Sequence, residues 1–275
     1  MKKGICYWSL PKNLSFKENL DLAKKAGFDG VELAMSESGD LTINSSKEDI
    51  LNLKKAVEDA GLEVSSLAST LFWDYPLTSN DKEKSEKCKL IIRKMIDAAA
   101  LMNLDTILVI PGSVGVDFKK DCEVIDYDVA YDRALEAIKE LSVYAEKNNV
   151  NIALENVWNK FLLSPLEFRD FIDKTGSSHV GIYFDIGNVI YTGYPEQWVK
   201  ILGNRIKKVH IKDYKRNVGF VELLAGDVNF PAVMDELKKI GYDDYIISEV
   251  SANYKFYPEQ MVYNSSGAMD RILNK

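Results

Sequence analysis

The sequence predicts an α/β fold, a single (β/α)8 TIM barrel spanning residues 1–275. Three observations predict it. Eight short runs rich in β-branched and aromatic residues alternate with amphipathic stretches of helical period. Such alternation builds βαβ units and a parallel sheet, and eight units are the number that closes a barrel. No low-complexity segment or Pro/Gly/Ser-rich linker divides the chain, and barrels of this length are commonly one domain. The competing doubly wound open sheet gains no support, because neither GxGxxG after the first strand nor GxxxxGK[ST] is present.

The elements follow in order. The strand over Gly4–Tyr7 leads into a helix over Ser15–Ala26, Gly30–Leu33 into Lys47–Ala60, Glu63–Leu67 into Asp81–Met102, and Thr106–Ile110 into Tyr127–Asn148. In the second half Asn151–Glu155 leads into Pro165–Lys174, and Val180–Asp185 into Pro195–Leu202. Ile206–Lys212 then leads into Pro231–Ile240, and Tyr245–Glu249 into Pro258–Leu273. Each helix repeats apolar residues at i, i+3 and i+4. Four of them open on proline, whose missing N–H costs nothing in the first turn. Ser164 is a good cap before Pro165, whereas Phe230 before Pro231 is not.

Composition narrows the function. The 275 residues are 46% hydrophobic and 28% charged, ordinary globular values. Three cysteines, Cys6, Cys88 and Cys122, form no CxxC pair and read as reduced thiols in a cytoplasmic protein. No run reaches the ~20 apolar residues of a membrane span, and MKKGICYWSL is no convincing signal peptide. A net charge of −7 argues against nucleic-acid binding.

The carboxylates at the strand ends carry the chemistry. An ionised carboxylate is costly at the end of an apolar strand unless something cationic meets it. Yet NIALE ends in Glu155, GIYFD in Asp185 and YIISE in Glu249, while VHIKDY places His210 within the seventh strand. Singly, each reads as a turn cap, a solvated group or a core histidine. Together, four adjacent strands present metal-capable side chains at the C-terminal rim, the functional face of such barrels. One divalent cation is the simplest partner for three crowded carboxylates. Three oxygens and an imidazole suit Mn2+ first, with Mg2+, Co2+, Fe2+ or Zn2+ as alternatives.

LENVWNKFLLSPLEF, GIYFDIGNV, GYPEQW, RIKKVHIKDY and GDVNFPAVMDELKKIGYDDYIISE together resemble the sugar phosphate isomerase/epimerase family. That group is similar in fold to xylose isomerase and the ketose 3-epimerases. The resemblance is densest over residues 151–249; GFDGVEL and ILVIPG extend it toward the N-terminus. It implies Glu155, Asp185, His210 and Glu249 as ligands of one divalent metal, and Glu155 and Glu249 as the acid/base pair. The implied reaction is epimerisation of a small ketose or ketose phosphate, at C3, by proton transfer through an enediolate. Homo-oligomers, which relatives often form, are also implied.

Further candidates for substrate contact are Glu32 at the end of GVEL, Trp158, Asn188, Lys212 and Arg216. Glu32 reads equally as a structural ion pair, and exposed lysines and arginines are usually just solvated. Trp8 and Trp73, also just past strand ends, share Trp158's choice between sugar wall and core packing. Asn188 stands where ketose epimerases often carry histidine. His179 precedes strand six at the opposite end and reads as structural. Two histidines in the whole chain are too few for the three-zinc site of an endonuclease IV-like enzyme. A hydroxypyruvate isomerase-like aldose–ketose isomerase and a non-catalytic sugar-binding barrel are the remaining alternatives.

Overall fold

A computed structural model describes residues 1–250 and 254–274. Eight parallel strands close into a barrel in the order β1-β10-β7-β6-β5-β4-β3-β2. In chain order the strands are β1 (Lys2–Cys6), β2 (Gly30–Met35), β3 (Glu63–Ser69), β4 (Thr106–Val109), β5 (Asn151–Glu155), β6 (Val180–Asp185) and β7 (Ile206–Ile211). A two-stranded hairpin, β8 (Asp213–Lys215) and β9 (Gly219–Val221), precedes the last barrel strand, β10 (Tyr245–Ser248). Lys2 pairs with Tyr245 and Gly4 with Gly30, which seals the ring.

Helices alternate with the strands around the outside: α1 (Phe16–Lys25), α2 (Lys47–Asp59), α3 (Lys82–Met102), α4 (Tyr127–Lys147) and α5 (Pro165–Thr175). A short α6 (Ile186–Val189) precedes α7 (Pro195–Leu202), α8 (Phe230–Lys239) and α9 (Glu259–Leu273). The helix starts are chemically marked. Ser15 and Ser46 form capping boxes with Glu18 and Asp49, and Ser164 accepts from the Glu167 N–H. Each such cap contributes roughly 1 kcal/mol.

The parallel strands are buried on both faces, as the helical jacket requires. Every residue of β4, β6 and β10 is buried. Side chains alternate across a strand, so Tyr183 and Asp185 share one face while Phe184 takes the other. The same rule puts His210 and Lys212 on a common face. The inward residues of β2, β3, β6 and β7 meet one another across the barrel, as their hydrogen bonds show.

Three expectations need correction. Glu32 does not end its strand: β2 continues to Met35 because Leu33 and Met35 are buried core residues. The eighth helix begins at Phe230, capped by Asn229, whose side chain accepts from the Ala232 N–H. The seventh strand stops at Ile211 and the chain then turns back as the β8–β9 hairpin, which the sequence reading does not contain.

Candidate metal centre

Glu155 and Asp185 close β5 and β6, His210 lies in β7 opposite Asp185 in register, and Glu249 directly follows β10. The Glu249 N–H donates to the Ile211 carbonyl at 3.2 Å, so the ladder carries one residue beyond β10. One ligand atom from each of the four lies within 4.8 Å of all the others. Six-coordinate ions with bonds near 2.1 Å place their ligands roughly 3–4.2 Å apart, so the four atoms would need to draw in by about half an ångström to close on a single divalent cation.

Three buried atoms reinforce that fit. Asp185 Oδ2, His210 Nδ1 and Glu249 Oε2 have no hydrogen bond of acceptable angle among the described residues. They nonetheless crowd together: His210 Nδ1 lies 2.8 Å from Glu249 Oε2 and 3.6 Å from Glu155 Oε1. The Lys212 ammonium lies 2.9 Å from Asp185 Oδ2 and 2.8 Å from Glu249 Oε2. Close charges without directed hydrogen bonds are what a site shaped for a point cation presents.

The electrostatics divide the carboxylates. Burial pushes Glu155 up to about 7, with the nearby Glu249 charge adding to it. Burial acts the same way on Glu249, but Lys212 and His210 outweigh it and hold its carboxyl well below the usual range. Burial also raises Asp185, partly offset by Lys212. For His210 burial works downward, yet Glu32 and Glu249 together hold the imidazole well above its ordinary range.

A family model described as the xylose isomerase-like TIM barrel matches residues 20–269. The chain belongs to that family. UlaE of Escherichia coli, an L-ribulose-5-phosphate 3-epimerase, is 28% identical over 254 residues, covering 87% of this chain and 83% of its own. A solved L-ribulose 3-epimerase superposes with a TM-score of 0.82 at 20% identity, over 99% of this chain and 94% of that one. A D-psicose 3-epimerase structure gives 0.81 at 18% identity over the whole of both chains. At those identities the two structures speak for the fold alone.

Within this xylose isomerase-like barrel the other candidate residues fall in different places. Lys212 joins the four-residue cluster. Trp8, in the turn after β1, donates its Nε1–H to Glu249 Oε1 at 3.0 Å, and a cavity of about 120 Å3 opens between Trp8, Lys212, Phe220 and Glu249. Trp158 stacks on Phe220 of β9 (centroids 4.9 Å) and donates to the Asn188 carbonyl. One of its faces is therefore spent on packing. Trp73 likewise packs edge-on against Phe118.

Asn188 is turned to scaffolding. Its N–H donates to Asp185 Oδ1 at 2.8 Å, and its amide donates to the Asn156 carbonyl. Asn156 in turn bonds both backbone groups of Asp185. Asn188 thus holds the Asp185 carboxylate and Asn156 its backbone, and nothing local in the sequence marks Asn156 for that part. Glu32 is fully buried with both oxygens engaged, so it presents nothing to a sugar. Arg216 sits in the hairpin turn with its guanidinium 3.9 Å from Asp227 and 5.8 Å over the Tyr194 ring, partners outside the cluster. The His179 carbonyl accepts from the Ile152 N–H at the start of β5, at the far end from the cluster.

Gly187 makes the Asp185 position possible. A Cβ there would lie 2.5 Å from Lys212 Cβ and about 3 Å from its backbone. Gly187→Ala is expected to push α6 off the end of β7 and destabilise the fold by about 1–3 kcal/mol. A urea-unfolding midpoint measures that cost, and weaker cation binding should accompany it because Asp185 caps α6.

Proposed function

We propose that the chain is a divalent-metal-dependent isomerase that epimerises a small ketose phosphate at C3, with L-ribulose 5-phosphate as the first substrate to test. The supporting observation is the convergence of Glu155, Asp185, His210 and Glu249 within 4.8 Å at the C-terminal rim of the barrel. The substrate class follows the L-ribulose-5-phosphate 3-epimerase name of the Escherichia coli relative.

These four side chains would hold the cation, Mn2+ by preference. Bound there, it would polarise the ketose carbonyl and acidify the neighbouring C–H. Glu155 and Glu249 would then serve as the acid/base pair, one taking the C3 proton and the other returning one, with the roles exchanged in the reverse direction. Inversion requires them to act on opposite faces of C3. Trp8 restrains Glu249 through its Nε1–H. The whole chain acts as one domain in this reading, and its three free thiols suit the reducing cytoplasm.

The test incubates Mn2+-loaded protein with L-ribulose 5-phosphate, related pentuloses and hexuloses, and their phosphates in D2O. Deuterium at C3 with formation of the C3 epimer is the expected result. Deuterium at C1 or C2 would replace epimerisation with aldose–ketose isomerisation. Exchange with no compound would remove the catalytic reading.

A further inference from the structure

Beneath the four-residue cluster lies a second polar layer that the proposed proton transfers do not use. Glu32 sits in mid-β2, and Ser66 is its register partner on β3. Tyr183 reaches them from β6, on the inward face it shares with Asp185. All three are fully buried. The Ser66 hydroxyl donates to Glu32 Oε2 at 2.7 Å, and the Tyr183 hydroxyl donates to the same oxygen. The two hydroxyls touch at 2.9 Å. The other oxygen, Oε1, lies 2.8 Å from His210 Nε2, and the Tyr183 ring packs on the imidazole with centroids 4.5 Å apart.

A carboxylate at this depth costs several kcal/mol unless donors surround it. Here both oxygens are matched to donors: two hydroxyls and one ring N–H. A histidine that binds a cation carries a single N–H, and Glu32 holds that proton on Nε2. The cation then takes the place of the Nδ1 proton, on the side that faces Glu155 and Glu249 at 3.6 and 2.8 Å. We infer that Glu32, anchored by Ser66 and Tyr183, is a positioning residue that fixes His210 as the Nε2–H tautomer and reserves Nδ1 for the cation. Glu32 thereby moves from sugar contact to metal affinity. The inference rests on the metal-dependent reading above. Partners that orient a histidine ligand in this way typically change metal affinity 10–100-fold when removed.

The chain has only two histidines, so protein labelled with 15N-histidine reports His210 against a single reference, His179. With Zn2+ added, the parent should show His210 protonated at Nε2 and metal-shifted at Nδ1. Co2+ titration of Glu32→Gln should give a Kd 10–100-fold weaker than the parent, with the single His210 tautomer lost in a variant that still unfolds cooperatively. Equal Co2+ affinity and an unchanged tautomer would overturn the inference while leaving the proposed reaction standing. A parent that binds neither Co2+ nor Zn2+ would remove the metal reading itself, and this inference with it. Should Glu32→Gln fail to fold, Tyr183→Phe keeps the charge and removes one anchor. Several-fold weaker Co2+ binding supports the inference there, and parental affinity overturns it.

Discussion

Glu155→Gln is expected to lower kcat for C3 epimerisation by about 10²–10⁴-fold, the usual worth of a positioned acid or base, and to leave the barrel folded. The substitution keeps the side chain's shape and removes its ability to carry a proton at C3. It also removes one of three crowded carboxylates. Glu155 is the one that burial and the Glu249 charge push up, so the metal-free variant should be at least as stable as the parent. Glu249→Gln should abolish turnover to a similar degree but shift stability the other way. Glu249 is the carboxylate that Lys212, His210 and the Trp8 indole N–H all address, and its loss leaves those buried donors short of a partner. Deuterium uptake at C3, followed by NMR beside urea unfolding of both variants, checks the pair. Turnover by Glu155→Gln within a few-fold of the parent would remove Glu155 from the reaction.

The contrast between these glutamates shows where the sequence is informative. A carboxylate ending an apolar strand is anomalous within a few residues of chain, so Glu155, Asp185 and Glu249 stand out by local cost alone. The barrel is legible for a similar reason, since alternation of strand and helix is a local pattern repeated eight times. Contacts between distant segments leave no such mark. Trp8 reaches Glu249 across 241 positions and Tyr183 reaches Glu32 across 151. Nothing near Glu32 in GVEL distinguishes a carboxylate facing substrate from one buried under a histidine. Asn188 misleads for the opposite reason: its place after Asp185 suggests recognition, whereas its N–H is the one Asp185 accepts as cap of α6 and its side chain donates to the Asn156 carbonyl. The β8–β9 hairpin hides because its strands are three residues long. Asn217 at φ 66° and Gly219 at φ 120° are its local signals.

Lys212→Met is expected to destabilise the metal-free protein by about 3–5 kcal/mol, the cost of leaving one side of a buried ion pair alone. Lys212 bridges Asp185 Oδ2 and Glu249 Oε2, and its side chain is 15% exposed while that of Asp185 is fully enclosed. Glu249 keeps His210 when the lysine is lost. Asp185 keeps only N–H donors, from Asn188 and from the backbone that Asn156 braces. A bound divalent cation would neutralise the same two oxygens, so Lys212 and the metal compete to do one electrostatic task. The metal should therefore stabilise Lys212→Met more than it stabilises the parent. Binding at 100 times Kd contributes about 2.7 kcal/mol, and the variant's gain should exceed the parent's at equal saturation. Urea unfolding in EDTA and in excess Mn2+ measures both increments. An equal or smaller increment in the variant would mean that lysine and cation do not share those oxygens, and would return Lys212 to the substrate-contact role that the sequence suggests for it.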